Sequence, residues 1–395
     1  MSRTLPVVFR AALALPLLLA LGVSLLGPSP GVAKGPNTPP VVIVDIPAAT
    51  QGPLWPPSEV TNEAGDFLTV GILLHEIPGR IFALPELGAA ALVSKDTAPP
   101  LDANGNKINN NWFLAGYDII RRLDLSPGSP DLDMVLYNLS MGPPEDGGNI
   151  PRVPRVGDSA FNLYTDEYPC QELFPSDSQR QTYSRPRFPL HEIPIWGYQG
   201  DQIALDVNTG DPFDPFGTGG PGCGTGCSGE DLLDDRAIDR PITLGDWLGG
   251  TARVKIQLED FDEVVGGYTA AEFDFRLENA LPNSMYSIWT IRPRRIPGSD
   301  FAPQADPLSI HNVILTDENG DGRGIFHVRH PFQDPDNDPK GLRIECVVIA
   351  WHPDFQNWGA CGALMGAGID LMTAFNSLSR GNLDFTPFIT VPPSE

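Results

Sequence analysis

The chain has 395 residues, 41% of them hydrophobic, enough to bury a sizeable core. Its 26 Lys and Arg stand against 50 Asp and Glu, a net charge of −24 that argues against nucleic acid and anionic membrane surfaces as partners, since both demand basic patches. The 42 prolines and 41 glycines favour short strands and many loops over long helices.

Residues 1–33 read as a secretory signal: Arg3 and Arg10 give a cationic start, residues 11–26 an apolar core, and Gly31-Val32-Ala33 small residues for cleavage. The apolar run is too short and too proline-bounded for a spanning helix, and no second anchor precedes Glu395. The expectation is an extracellular or periplasmic protein beginning near Lys34, with no membrane span after signal cleavage. Cleavage would leave 24 basic against 50 acidic residues, a charge of −26. The remaining length suggests two domains.

Residues 34–57 form a Pro-rich leader, with 41–44 as an edge strand. Residues 58–210 read as a β-rich, loop-rich N-terminal domain. There 66–74 is a buried strand, 134–139 and 203–207 are further strands, and 112–123 fits a strand or a short helix. Leu74-His75-Glu76-Ile77-Pro78 recurs as Leu190-His191-Glu192-Ile193-Pro194, by duplication or by coincidence. Residues 211–250 are Gly-rich, Pro-rich and then acidic, as in a linker with few contacts across it.

Residues 251–395 read as a β-sandwich domain, and 251–354 within it carry the clearest patterning. In 253–261, Val254, Ile256 and Leu258 alternate with Lys255, Gln257 and Glu259, as a half-buried strand requires. Residues 272–277 repeat the alternation with Phe273, Phe275 and Leu277 inward. Residues 285–291, 324–330 and 343–351 are aromatic and β-branched, as strands prefer. Five strands joined by turns predict an all-β fold, with an antiparallel, Ig-like or jelly-roll-like sandwich at the C-terminus.

Between the third and fourth of these strands, Asp317, Asn319 and Asp321 alternate before Gly322. Short oxygen-bearing side chains at that spacing can converge on a hard cation, so the run matches the first half of an EF-hand calcium loop. Its twelfth position is Val328 instead of a bidentate Glu, and Asn-Gly and Asp-Gly equally suit a hairpin turn. Both readings, Ca2+ site and plain turn, stand here. Asp334, Asp336 and Asp338 follow, as further carboxylates or as a solvated loop.

The order Leu281-Pro282-Asn283-Ser284-Met285-Tyr286-Ser287-Ile288-Trp289, then the Asp317 turn, then His352-Pro353-Asp354-Phe355-Gln356-Asn357-Trp358-Gly359 resembles a β-sandwich module of uncharacterised secreted bacterial proteins. In that module a Pro-Asn…Tyr…Trp strand precedes an Asp-x-Asn-Gly hairpin and a late His-x-Asp loop. The resemblance covers the C-terminal third, implies a secreted sandwich, and implies no activity.

Five cysteines remain after the signal, and export would favour disulfides. Cys223 with Cys227 would close a small ring and Cys346 with Cys361 a modest loop, leaving Cys170, though other pairings are open. No histidine near Cys223 and Cys227 completes a zinc site. The G-x-S-x-G at 27–31 lies in the signal, the G-x-G-x-x-G at 224–229 follows no strand and precedes Glu230 and Asp231, and neither His-Glu-Ile-Pro has a second histidine. Among the histidines, His327 and His330 would point to opposite faces of a regular strand, while His311 and His352 are candidates for a transition-metal site. The expectation is a secreted, non-enzymatic β-sandwich protein of cell-surface structure, adhesion or matrix binding. The alternative is an exported hydrolase or metalloenzyme that joins His75, His191 or His352 to buried carboxylates.

Overall fold

The computed structural model describes residues 41–52, 56–79, 83–101, 105, 115–139, 187, 189–193, 238–262, 267–292, 304–308, 312–332, 343–353 and 372–377. In chain order these form β1 (Val41–Ile46), β2 (Val60–Thr61), β3 (Phe67–His75), β4 (Leu84–Val93), β5 (Ile119–Arg122), β6 (Tyr137–Asn138), helix α1 (Leu244–Gly249), β7 (Thr251–Asp262), β8 (Gly267–Glu278), β9 (Met285–Arg292), β10 (Gln304–Pro307), β11 (Val313–Leu315), β12 (Gly322–Phe332), β13 (Cys346–His352) and β14 (Met372–Asn376). The protein is all-β, and every strand pairing is antiparallel. No described helix is long and apolar enough to cross a membrane.

Three sheets account for the strands. The first has the order β1-β7-β8-β12. Its alternating sequences place one cross-strand row after another on the inner face: Val42, Ile256, Phe273 and Phe326 lie opposite one another, as do Val44, Val254, Phe275 and Gly324. Gly324 has a steric reason, because a Cβ there would stand 2.7 Å from both Ile314 and the Phe326 ring. Charged and polar residues alternate with these rows and fill the outer face. Pairs of this kind are the unit of sheet stabilisation, and the register fixes which set is buried.

The second sheet runs β10-β9-β13-β14, with β11 also on β9. Every residue of β9, β13 and β14 is buried, so these strands read as continuous apolar runs. The reason is that this sheet has a core on both faces. Val347, Ile349 and Trp351 pack into the large cluster shared with the first sheet, while Cys346, Val348 and Ala350 face Phe67, Leu73, Ala91 and Val93 of the third. That third sheet runs β5-β4-β3-β2-β6. β4 lay outside the sequence reading because its Leu-Gly-Ala-Ala-Ala core has weak strand propensity; burial against β3 overrides it.

One described segment between the sheets carries a helix. Residues 238–250, expected to end a linker, hold α1, whose capping box joins Thr243 Oγ1 to the Asp246 N–H and an Asp246 oxygen to the Thr243 N–H. Trp247 is 3% exposed; its Nε1–H donates to Ala49 O at 2.8 Å, and its ring meets Trp351 edge-on at 5.5 Å. One hydrophobic cluster therefore runs from Val42, Leu68 and Leu136 through Trp247 to Phe273 and Phe375, across the expected domain boundary. The repeated Leu-His-Glu-Ile-Pro takes two conformations, ending β3 at His75 and forming a 3-10 turn at Leu190–Glu192, so these are not corresponding positions of a duplicated unit. The strand expected at 203–207 lies outside the described residues. Trp247→Ala should cost about 3–5 kcal/mol, read from the urea midpoint, because it empties a shared core and orphans the Ala49 carbonyl.

Candidate functional site

Four places gather polar chemistry. The first is the turn at residues 317–322. Asp317 Oδ1 accepts from the N–H groups of Asn319 at 2.8 Å and Asp321 at 3.0 Å, and Asp317 N–H donates to Asp321 O. Those donors hold the Asp317 carboxyl below the ordinary carboxylate value. Asp321 Oδ1 reaches across to the Asn279 N–H at 3.1 Å. Gly320 sits at φ +80°, where a Cβ would collide with Ala280 O. The turn is closed by its own backbone. Among the described residues no group of three His, Cys, Asp or Glu is placed to hold a metal ion, and Asp334, Asp336 and Asp338 lie outside them.

The second place is His352. Its Nε2 lies 2.5 Å from Ser287 Oγ, and Trp289 Nε1–H donates to the same oxygen at 2.7 Å. The register of β9 and β13 sets this contact by pairing Ala350 with Ser287 and His352 with Met285. The distance is that of a nucleophile and its base. Both residues are 0% exposed in a sheet paired on both sides, so a substrate carbonyl has no route to them. The pair satisfies buried polar groups in the core. His311 is outside the described residues, and the metal pairing suggested for it with His352 is not brought together among them. His75, by contrast, is a surface residue 2.7 Å from Glu86, which also takes Arg122 in a bidentate pair. His191 meets only Glu192, at 3.7 Å, among the carboxylates described. His327 stands 3.9 Å from Glu272 on the outer face, and His330 takes φ +48° where β12 bulges.

The third place is Glu59. Its Oε2 accepts the Thr373 N–H of β14, and Oε1 occupies the space that the missing Cβ of Gly52 leaves open. Gln51, Tyr117 and Asn376 continue the seam: Gln51 Nε2 donates to Tyr117 Oη at 2.7 Å, and Asn376 Nδ2 to Gln51 O at 2.9 Å. Burial pushes the Glu59 carboxyl up from 4.5 to about 7, against the opposing pull of the Thr373 donors. Cys346 ends this seam, buried, with Sγ 3.7 Å from Asn376 Oδ1; Cys361, its expected disulfide partner, lies outside the described residues. Cys170, Cys223 and Cys227 lie outside them as well.

The fourth place is an open groove of about 1130 Å³, floored by the outer face of β1, β7 and β8 and walled by α1 and the 125–132 segment. Along the floor Asp45, Arg253, Arg276 and Arg323 occupy one cross-strand row, and Ile43, Lys255, Asp274 and Ile325 the next. Three arginines directly opposite one another repel. Two carboxylates offset this: Asp45 lies 2.7 Å from Arg253 Nε, and Asp274 takes Arg323 at 2.8 and 2.9 Å and is held below its ordinary value mainly by that contact. Nothing in a linear reading signals this row, because its members come from four strands up to 278 residues apart in the register that only the fold supplies.

Two measurements follow from this geometry. A raised carboxyl favours the folded state in its protonated form, so the Glu59 contribution is full below pH 4.5 and is lost as pH rises towards 7. The loss is on the order of 3 kcal/mol, and Glu59→Gln should remove it: the stability difference between variant and wild type, from urea midpoints, should grow over that window and then level. The self-closed turn should need no cation, so melting with calcium and with chelator should coincide; a calcium-dependent rise abolished by Asp321→Ala would show a site. No family model, no curated protein and no solved structure matches this chain.

Proposed function

We propose that this protein is an exported, non-enzymatic β-sandwich protein of surface structure, adhesion or matrix binding. The observation that carries the reading is the separation of its chemistry from its open surface. Ser287, His352 and Glu59, the groups with reactive spacing or a shifted carboxyl, are sealed among packed strands. The open groove, among the described residues, is lined by aliphatic side chains, prolines, glycines, charged groups and the Thr251 hydroxyl, with no histidine, cysteine or serine. Shallow, rigid, mixed apolar and charged surfaces suit binding. The signal-like first 33 residues and the acidic composition support export to a solvated exterior.

The test pairs two assays on the purified protein. Saturable retention on the cell envelope or extracellular matrix of the producing cells, with no turnover of ester, glycoside or peptide reporter substrates, is the expected result. Turnover that disappears in Ser287→Ala would overturn the reading and install the hydrolase alternative. A Ser287→Ala variant is expected only to lose about 1–3 kcal/mol of stability, by leaving the Trp289 N–H without its acceptor.

A further inference from the structure

The groove floor does not balance its charges locally. Asp45 engages Arg253, and Asp274 engages Arg323 through both oxygens. Arg276, central in the row and 59% exposed, reaches only Asp274 Oδ2, at 4.0 Å, an oxygen already bonded to Arg323. Lys255, exposed on the adjacent strand of the same face, stands opposite Asp274 and acts on it through its charge, with no ion pair within 4.0 Å among the described residues. Pairing Asp45 with Arg253 and Asp274 with Arg323 leaves Arg276 and Lys255 against the single carboxylate of Glu278, a local surplus of one positive charge in a chain whose net charge is −24. Lys255 and Arg276 are diagonal neighbours across β7 and β8, about 7–8 Å apart, so the two fall within reach of one short anionic segment.

The opposite side of the groove sets the rest of the chemistry. Leu125, Pro127, Leu132 and Leu248 line it, and Ile43, 55% exposed, continues the apolar character onto the floor. No aromatic ring lies among the described lining residues, so the flat face on which a sugar ring would stack is missing. The volume, about 1130 Å³, exceeds the usual small-molecule range. Glu278 stands at one end of the floor, opposite Thr251, and repels acid there.

We propose that this groove docks an extended acidic-aliphatic peptide segment of a partner protein, carboxylates on Arg276 and Lys255 and aliphatic side chains on the Leu132–Leu248 wall. The proposal rests on the binding reading above and names its partner's chemistry. Complementary charge gives orientation and speed of association, and the apolar wall gives affinity.

Anisotropy titration of the protein with a labelled synthetic peptide of alternating Glu and Leu tests it, alongside a Lys/Leu peptide of the same length and polygalacturonate. The Glu/Leu peptide should bind saturably, more weakly as salt rises, and the double reversal Lys255→Glu with Arg276→Glu should weaken it about tenfold or more. Lys95→Glu, a charge reversal outside the groove, should leave binding unchanged. Both groove residues point into solvent, so the double variant should keep the wild-type melting temperature. Equal affinity in the double variant, equal binding of the Lys/Leu peptide, binding of polygalacturonate alone, or no binding of any probe would each overturn the proposal. Envelope retention that persists alongside such a failure would leave the broader reading standing; reporter turnover would remove both.

Discussion

The structure depends on how residues 47–51 are held. Leaving β1, this segment has one sheet on either side. Ala49 N–H donates to Ala374 O and Pro47 O accepts from Asn376 N–H on β14, while Thr50 N–H donates to Val70 O on β3. Trp247 closes it from a third direction through Ala49 O. Unpaired buried backbone groups are costly, so a segment crossing a dry interior must be bonded on both flanks. Because β1 is itself paired with β7, a single run of chain ties the outer, central and third sheets together.

That arrangement explains where polar side chains are tolerated inside. Thr50, Gln51, Ser58, Glu59 and Asn376 are buried along this seam because the joining segment departs from ideal strand geometry and leaves backbone groups for side chains to satisfy. Ser287, Trp289 and His352 do the same within the central sheet. Satisfied networks of this kind give a core a unique arrangement, and removing one member exposes the cost of the others. Glu59 is the exception in sign: it is placed where its charged form is disfavoured, so the seam tightens as the carboxyl takes up a proton.

Legibility followed burial. The outer sheet is written plainly in the alternation of Val254, Ile256 and Leu258 and of Phe273, Phe275 and Leu277, because one face is wet and one dry. The apolar runs of β9 and β13 revealed strands but not that both faces are covered, since a continuous run carries no facing information. β4 and β14 were missed for opposite reasons: β4 is alanine- and glycine-rich, and β14 is five residues long. The Asp317 turn was recognisable in the alternation of Asp317, Asn319 and Asp321, and the structure adds the two backbone donors that Asp317 Oδ1 takes. The groove is a property of register alone. Lys255 and Arg276 look like ordinary solvated strand positions until β7 and β8 are set side by side.

The bond between Asn376 and Gln51 spans 325 positions, and that between Thr373 and Glu59 spans 314. Such contacts close the largest loops available to the chain and set a slow, non-local folding step. For a polypeptide made from its first residue to its last, the consequence is one of timing. The early strands can pair locally, but the segment at 47–51 has one flank empty until β14 emerges. β14, the last of the described strands, thus acts as a completion check, and a chain halted before it leaves apolar surface of the interior uncovered.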